Sequence, residues 1–479
     1  MESIWSKSCD IPRREALQKS IDAEVAVIGA GMAGILTAAR LQKAGRRVVV
    51  LEANRIGSGQ TRNTTAKLTA QHGCFAKQLT EVLGPDKARL YVQANTEAID
   101  AFRTLIQAEG IACDFEPQSA FVYGNDEARM KQEAAAQRKL GLPAALVRAE
   151  ALPGSPACAI RVENQAQFHP LKLLRAVSEP LTVYEHTPVR RVEGHVLTTE
   201  GGQVRADRIV FACHYPFVNF PGFYFARLHQ ERSYVLALEN APCPSGMWIG
   251  AEQDGYSFRH YGDLLLFGGG GHRTGENSAG GRYAMLRRQA REWFPESREA
   301  AHWSAQDCMP ADGVPYIGRF SAGRPDWYVA TGFQKWGMTG SMAAAILLCD
   351  LICGKQSPYA RVFDPGRLNG KAAAGIAKEG LQAVKGLGRR IFQIPALQAA
   401  ELPRGHGGVV KAGAGKLGVC RDEAGRLHSV DIRCPHLGCQ LEWNPDEASW
   451  DCPCHGSRFD REGRLISGPA QRDLRTGGA

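Results

Sequence analysis

Residues 23–28, AEVAVI, are a short apolar run of strand-forming residues, and GAGMAG follows without a gap. Gly29, Gly31 and Gly34 fit the pattern G-x-G-x-x-G. In the next stretch, ILTAARLQKAG, Ile35, Leu36, Ala39 and Leu41 stand where a helix packs on a sheet. A second apolar run, Arg47–Leu51, ends in Glu52, 18 residues past Gly34. Strand, glycines, helix, strand and acid in this order predict a βαβ unit that holds a dinucleotide. Gly29 allows the tight turn, and Gly31, with Met32 beside it, lets a pyrophosphate approach the backbone. Gly34 lets helix and strand close on each other. The helix N-terminus offers N–H groups and a positive dipole end to the phosphates. Glu52 is placed to accept hydrogen bonds from ribose hydroxyls.

The rest of the chain has to be consistent with that opening. Its 479 residues leave room for about three domains, and 44% apolar against 22% charged residues excludes wholesale disorder. No run is long and apolar enough for a membrane span, and MESIWSKSCDIPRREALQKS has no signal-like apolar core, so a cytoplasmic chain is expected. The net charge of +9 is concentrated: residues 369–395 carry five basic groups and one acid, whereas residues 396–479 carry eleven of each sign. That pattern argues against nucleic acid, which asks for a basic stripe across a recognition fold. Residues 369–395 read as a basic tether between domains, with contact to anionic lipid as the less favoured alternative because four glycines weaken a helix there. The glycines of Gly268–Gly275 and Lys411–Gly418 lack the strand–helix–acid context of a nucleotide site and read as turns.

Further along come CMPADGVPYIGR (Cys308–Arg319), the strand-like WYVATGF, and a glycine turn opening the apolar helix QKWGMTGSMAAAILLCDLI. This order resembles the D-amino-acid-oxidase-like flavoproteins, the group that includes glycine oxidase and sarcosine oxidase. The resemblance covers residues 21–368 and implies FAD. It places Asp312, Gly313, Pro315, Ile317 and Gly318, then Gly332, Gly337, Met338 and Thr339, against the flavin, and Val189 against the adenine. Arg62, Thr64, Thr65 and Lys67 would lie in the loop around the pyrophosphate and the ring, with Lys67 countering negative charge on the reduced ring. His72 and Arg259 are substrate-side candidates, Arg259 as a fork for a carboxylate. Cys213-His214 departs from the Thr-Gly of many members, and Cys308 is out of register with the cysteine that holds flavin covalently in some of them, so a non-covalent flavin is expected.

The other cysteine-rich signal is CPHLGCQLEWNPDEASWDCPCHGSRFD, Cys434–Asp460. Cys434 and His436 form C-x-H, and Cys452 and His455 form C-x-x-H. By count alone these four suit zinc; by their pairing, one Cys and one His per half, they suit a cluster with thiolates on one iron and imidazoles on the other. The boxes closely resemble those of the Rieske family. That resemblance implies a 2Fe–2S cluster on Cys434, His436, Cys452 and His455, and a disulfide between Cys439 and Cys454 clamping the two loops. Ser457 matches a serine that donates to a bridging sulfide in high-potential members, and Phe459 stands where those members have Tyr. One donor fewer puts the expected potential below the top of the Rieske range of roughly −150 to +300 mV.

The expected fold is therefore an N-terminal tail (1–20), an α/β FAD-binding Rossmann-type domain with an α+β substrate subdomain (21–368), the basic linker (369–395), and a small all-β Rieske domain (396–479). The resemblance implies oxidation of a C–N bond in an amine or amino acid, a small-molecule substrate. Electrons would pass from FAD to the cluster and on to an external one-electron acceptor. The alternatives are the reverse flow, from a one-electron donor through the cluster to FAD, and a non-catalytic redox sensor. A Rieske oxygenase would need a further site of two His and one carboxylate, and no remaining His pair has the spacing for it.

Overall fold

The apolar strand Ile21–Ile28 lies between two parallel neighbours, Gln203–Phe211 and Val48–Leu51, and is buried over its last four residues. Strands covered on both faces read as continuous apolar runs, which is why Ala23–Ile28 shows no alternation. The sheet is eight-stranded. Its main path runs Tyr316–Ser321, Arg324–Thr331, Gln203–Phe211, Ile21–Ile28, Val48–Leu51, Thr182–Tyr184. The helices Met32–Lys43 and Gly337–Ile352 pack against one another, and Ile35, Leu36, Leu41, Met342, Leu347 and Leu348 join the largest core. The structure, a computed structural model, describes residues 2–242, 244–367, 398–412 and 415–476. The proposed basic tether, 369–395, lies outside them.

A second, nine-stranded sheet forms the substrate subdomain. Its main path is Arg298–Pro310, Leu228–Glu239, Leu264–Arg273, Ser257–Tyr261, Met247–Gly250, Glu116–Gly124, Cys158–Gln167 and Lys67–Leu68, with Ala145–Val147 paired to Cys158–Gln167 off it. Gly268–Gly271 were expected in a turn, but they belong to the strand Leu264–Arg273. Lack of side chains serves packing there: a Cβ on Gly269 would sit 2.8 Å from the Tyr256 ring. The N-terminal tail is part of the core. Trp5, in the short helix Ile4–Ser8, is fully buried and donates through Nε1 to the carbonyl of Thr64 at 2.7 Å.

The C-terminal part is all β. Three antiparallel strands (Gly407–Ala412, Gly415–Arg421, Leu427–Val430) and four more (Glu442–Asn444, Ser449–Asp451, Arg458–Phe459, Leu465–Ser467) enclose Trp443, Trp450 and Phe459. Among the described residues no helix is long and apolar enough to cross a membrane.

Candidate cofactor sites and the face between them

At the glycine turn the two roles of the motif can be separated by geometry. A Cβ on Gly34 would lie 1.9 Å from the carbonyl oxygen of Gly29, so helix and strand meet there only through glycine. A Cβ on Gly31 would meet nothing closer than Thr61 Oγ1 at 3.4 Å; it would fill only the space in front of the turn. Gly31 is also the N-cap of Met32–Lys43, and the Met32 N–H donates to Thr61 Oγ1 at 3.0 Å. The Glu52 carboxylate folds back over the same turn, accepting from the Ala30 and Asn54 N–H groups at 2.7 and 2.8 Å, and burial pushes its pKa up. An open cradle at Gly31 beside an oriented carboxylate fits the pyrophosphate and ribose of a dinucleotide. Val189 is buried in the core that also holds Leu51, behind Glu52.

The loop 60–67 is held in place from three sides. Trp5 and Trp303 donate to the carbonyls of Thr64 and Asn63, and Thr64 Oγ1 accepts from the Ala66 N–H at 2.9 Å. Burial lowers the pKa of Arg62. Lys67 Nζ donates to Ser257 Oγ at 2.5 Å and to Thr65 Oγ1 at 3.3 Å. Burial, helped by the nearby Arg259 charge, brings its pKa down to about 7. Arg259 differs from the expected carboxylate fork. Its guanidinium is fully buried and donates to the carbonyls of Thr65, Ala66, Phe168 and His260, with the Trp5 ring 5.2 Å away. Those donors are spent on main chain, so Arg259 pins the loop instead of facing a substrate.

His72 is likewise closed in. It lies flat on Trp336 with ring centroids 4.7 Å apart, and its Nε2 faces the Thr69 carbonyl at 2.9 Å and Thr339 Oγ1 at 3.3 Å. Nδ1 meets the Tyr91 hydroxyl at 2.8 Å, and burial lowers its pKa to about 3. A neutral imidazole wedged against Met338–Thr339 braces the N-terminus of Gly337–Ile352. Asp312, expected at the flavin, forms a buried two-point ion pair with Arg367, at 2.8 and 2.9 Å. It thereby fixes the turn at Gly313, whose φ is +75°. Gly332 turns at φ +74° just before this helix. Cys308 is buried, its thiol pushed up to about 12, which keeps it protonated and poorly nucleophilic.

In the C-terminal domain Cys434, Cys452 and His455 are buried and His436 is nearly so. The Cys434 and Cys452 thiols are within hydrogen-bond reach of each other, and the two imidazoles lie 4.8 Å apart at 88°. Nδ1 of His436 is buried and makes no hydrogen bond, while its Nε2 donates to Asn219 Oδ1 at 2.8 Å. A buried imidazole nitrogen without a hydrogen bond, in the same domain as a paired set of thiols, fits the donor set a mixed Cys/His cluster needs. Cys439 and Cys454 are joined in a disulfide, so their sulfurs, although within 4.8 Å of Cys452 Sγ, are withdrawn as thiolate ligands. Ser457 Oγ accepts from the Ala470 N–H at 3.0 Å and lies within reach of Cys434.

The two halves meet through the strands Leu228–Glu239 and Arg298–Pro310. Glu447 is the centre of this face: it accepts from Arg232 at 2.8 Å, Ser304 at 2.7 Å, Tyr283 at 3.1 Å and Arg458 at 3.2 Å. Burial opposes its charge, but Arg232 and Arg458 outweigh that and hold its pKa below the usual range. Asn277 donates to Asn444 and Asp446, and Arg273 to the carbonyls of Pro453 and Cys454. Backbones touch too: a Cβ on Gly275 would lie 2.5 Å from the Pro453 nitrogen, and one on Gly456 2.7 Å from the side chain of Gln230. None of Asn219, Gln230, Arg232 or Glu447 carried a local sequence signal; the only hint was the Cys213-His214 departure, which opens the segment leading to Asn219.

Comparison with known proteins agrees with both halves. Residues 24–351 match the family described as FAD dependent oxidoreductase (DAO), and residues 392–477 match the Rieske 2Fe–2S domain. YhfW of Bacillus subtilis (strain 168), whose name describes a Rieske 2Fe–2S iron–sulfur protein, is 36% identical over 99% of this chain and 97% of its own. Gamma-glutamylputrescine oxidoreductase of Escherichia coli (strain K12) is 24% identical over 71% of this chain and 86% of its own. Among solved structures, glycine oxidase from Geobacillus kaustophilus superposes with a TM-score of 0.61 at 20% identity, covering 73% of this chain and all of that one. At that identity the likeness is one of fold.

Proposed function

The chain belongs to the DAO family of FAD-dependent oxidoreductases and carries a Rieske 2Fe–2S domain, and from that premise we propose that it oxidises a C–N bond of an amine or amino acid and sends the electrons through the cluster to an external one-electron acceptor. When bound, FAD accepts two electrons with a proton and the cluster handles one electron at a time, so together they join two-electron to one-electron chemistry. The observation that carries the reading is the buried Glu447 contact. A charge shared by Arg232 and Arg458, its own side chain only 10% exposed, is costly to pull apart, since each partner would be left uncompensated. The cluster domain is thereby held on the flavin domain instead of trailing from it.

Residues of the chain then divide the work. Gly29, Gly31, Gly34 and Glu52 hold the dinucleotide end, and Thr64, Thr65, Met338 and Thr339 line the path toward the ring. Lys67, with a pKa near 7 before any anion arrives, takes up a proton when negative charge develops beside it and so favours the reduced flavin. Cys434, Cys452, His436 and His455 hold the cluster. The substrate class is supported by the name of one relative, a gamma-glutamylputrescine oxidoreductase, whose named compound carries C–N bonds.

An anaerobic titration of the holoprotein with a panel of amines and amino acids tests this, followed by visible absorption and low-temperature EPR. One reductant should bleach the flavin, and a Rieske-type signal should then grow. Reduction of the cluster by dithionite alone, with every amine and amino acid inert, would sink the proposal.

A further inference from the structure

We propose that the segment 212–227 is the electron-entry contact of the cluster, with Asn219 as the positioning residue that grips His436 and Gln230 as the bridge from His214 to the His455 loop. The inference deepens the reading above and rests on it only for the direction of electron flow.

The segment starts at the dinucleotide turn. Strand Gln203–Phe211 runs parallel to Ile21–Ile28, and the carbonyl of Ala212 at its end lies where a Cβ on Gly29 would come within 2.6 Å. The His214 carbonyl accepts from Thr331 Oγ1 at 2.6 Å, one residue before the Gly332 turn. The His214 ring points the other way, its Nε2 donating to Gln230 Oε1 at 3.1 Å. Gln230 is 2% exposed, and its amide donates to the His455 carbonyl at 2.6 Å and to that of Gly468 at 3.3 Å. Gln306 braces the same oxygen of Gln230 and donates to Gly456. A hydrogen-bonded connection thus runs from His214, two residues past the carbonyl that faces Gly29, through Gln230 to the backbone of His455.

Farther along, the same segment reaches the second histidine. Asn219 Oδ1 can only accept, so the His436 Nε2 that faces it at 2.8 Å must carry the hydrogen. That tautomer leaves the lone pair on Nδ1, the buried nitrogen with no hydrogen bond, free to serve as a ligand. Phe225 and Tyr215 stand edge-on to the His455 ring with centroids 6.2 and 6.4 Å away. One loop of the flavin domain therefore holds His436 through Asn219 and sets two aromatic rings against His455. With FAD and the cluster bound, each transfer through this contact would remove one electron from the reduced flavin and add one to the oxidised cluster. Two transfers, with an external one-electron carrier emptying the cluster between them, would return the flavin to its oxidised form and release its proton to water.

The test uses holoprotein carrying both cofactors and needs no substrate. A laser flash with 5-deazariboflavin and EDTA reduces the flavin, and the absorbance of the cluster reports onward transfer. Asn219→Leu should slow that transfer roughly 10- to 100-fold, the usual cost of losing a partner that orients a metal ligand. It should also change the coupling of the remote histidine nitrogen in pulsed EPR of the dithionite-reduced cluster. Asn219→Asp keeps an acceptor and should restore both. Gln230→Met, of similar volume, provides an independent cut if Asn219→Leu loses its cluster. Wild-type transfer rates in both variants, with unchanged nitrogen couplings, overturn the inference, as does absence of flavin-to-cluster transfer in the parent protein. Amines and amino acids that all fail to bleach the flavin, beside slowed flash transfer in the variants, would sink the substrate reading and leave this contact standing.

Discussion

Individual side chains show how far a residue's type leaves its role open. Arg259 is the sort of residue a substrate carboxylate selects, yet its donors hold Thr65, Ala66, Phe168 and His260. Arg259→Ala leaves several buried carbonyls unpaired and should cost about 3 kcal/mol. The expected outcome is a lower melting temperature and poor flavin retention, read from the visible spectrum, for acidic and neutral substrates alike. A variant that keeps its flavin and loses only acidic substrates would restore the fork. Lys67 makes a prediction with a sign. Burial first, and Arg259 second, lower its pKa from 10.5 to about 7, so between those values the unfolded chain binds the extra proton. Stability of the flavin-free protein therefore rises with pH across that window, and the penalty for burying the charge is fully present below about pH 7. Lys67→Met should gain most over the parent at pH 6, with the advantage fading toward pH 10. Denaturant titrations at pH 6 and 9 giving equal differences would refute this.

Among the elements, the first βαβ unit separates structure from ligand cleanly. Gly34→Ala drives a Cβ into the Gly29 carbonyl at 1.9 Å, so helix Met32–Lys43 must move off the strand. Gly31→Ala asks for no such shift, having 3.4 Å to its nearest neighbour, but it fills the cradle. The first variant should be poorly folded by circular dichroism. The second should show a native spectrum and native melting of the flavin-free protein with much reduced FAD content. Equal flavin occupancy in Gly31→Ala and the parent would mean that the pyrophosphate lies elsewhere. The helix Gly337–Ile352 depends on a different support, since His72, on Trp336 and Thr339, joins it to the chain just after the strand Lys67–Leu68.

For the whole molecule, the question is whether the cluster domain is docked. Glu447→Ala removes the shared acceptor of Arg232 and Arg458, which at such burial should cost about 3–5 kcal/mol, concentrated on the contact between the domains. The variant should retain its Rieske-type EPR signal, because the ligands and the Cys439–Cys454 clamp are untouched. Its radius of gyration in small-angle scattering should grow. An unchanged radius would show that Asn277, Arg273 and the glycine-to-backbone contacts hold the domains together without it.

Sequence alone determined what is encoded in local order and spacing. The glycine turn, its acid, the apolar helix after it, and the two Cys/His boxes announced themselves because close backbone approach and metal ligation each demand particular residue types at fixed intervals. The Cys439–Cys454 disulfide was implied by the resemblance of the two boxes to the Rieske family, and the structure contains it. Gly268–Gly271 misread as a turn because a glycine omitted for packing looks, in sequence, like one chosen for a bend. Only the tertiary structure decided which charged groups are spent on internal pairing, as with Arg259 and Asp312, and where the two halves touch. Asn219 meets His436 across 217 residues and Gln230 meets His455 across 225. A hydrogen bond made over such a separation depends on the completed packing of two domains, and no periodicity or motif near either partner records it.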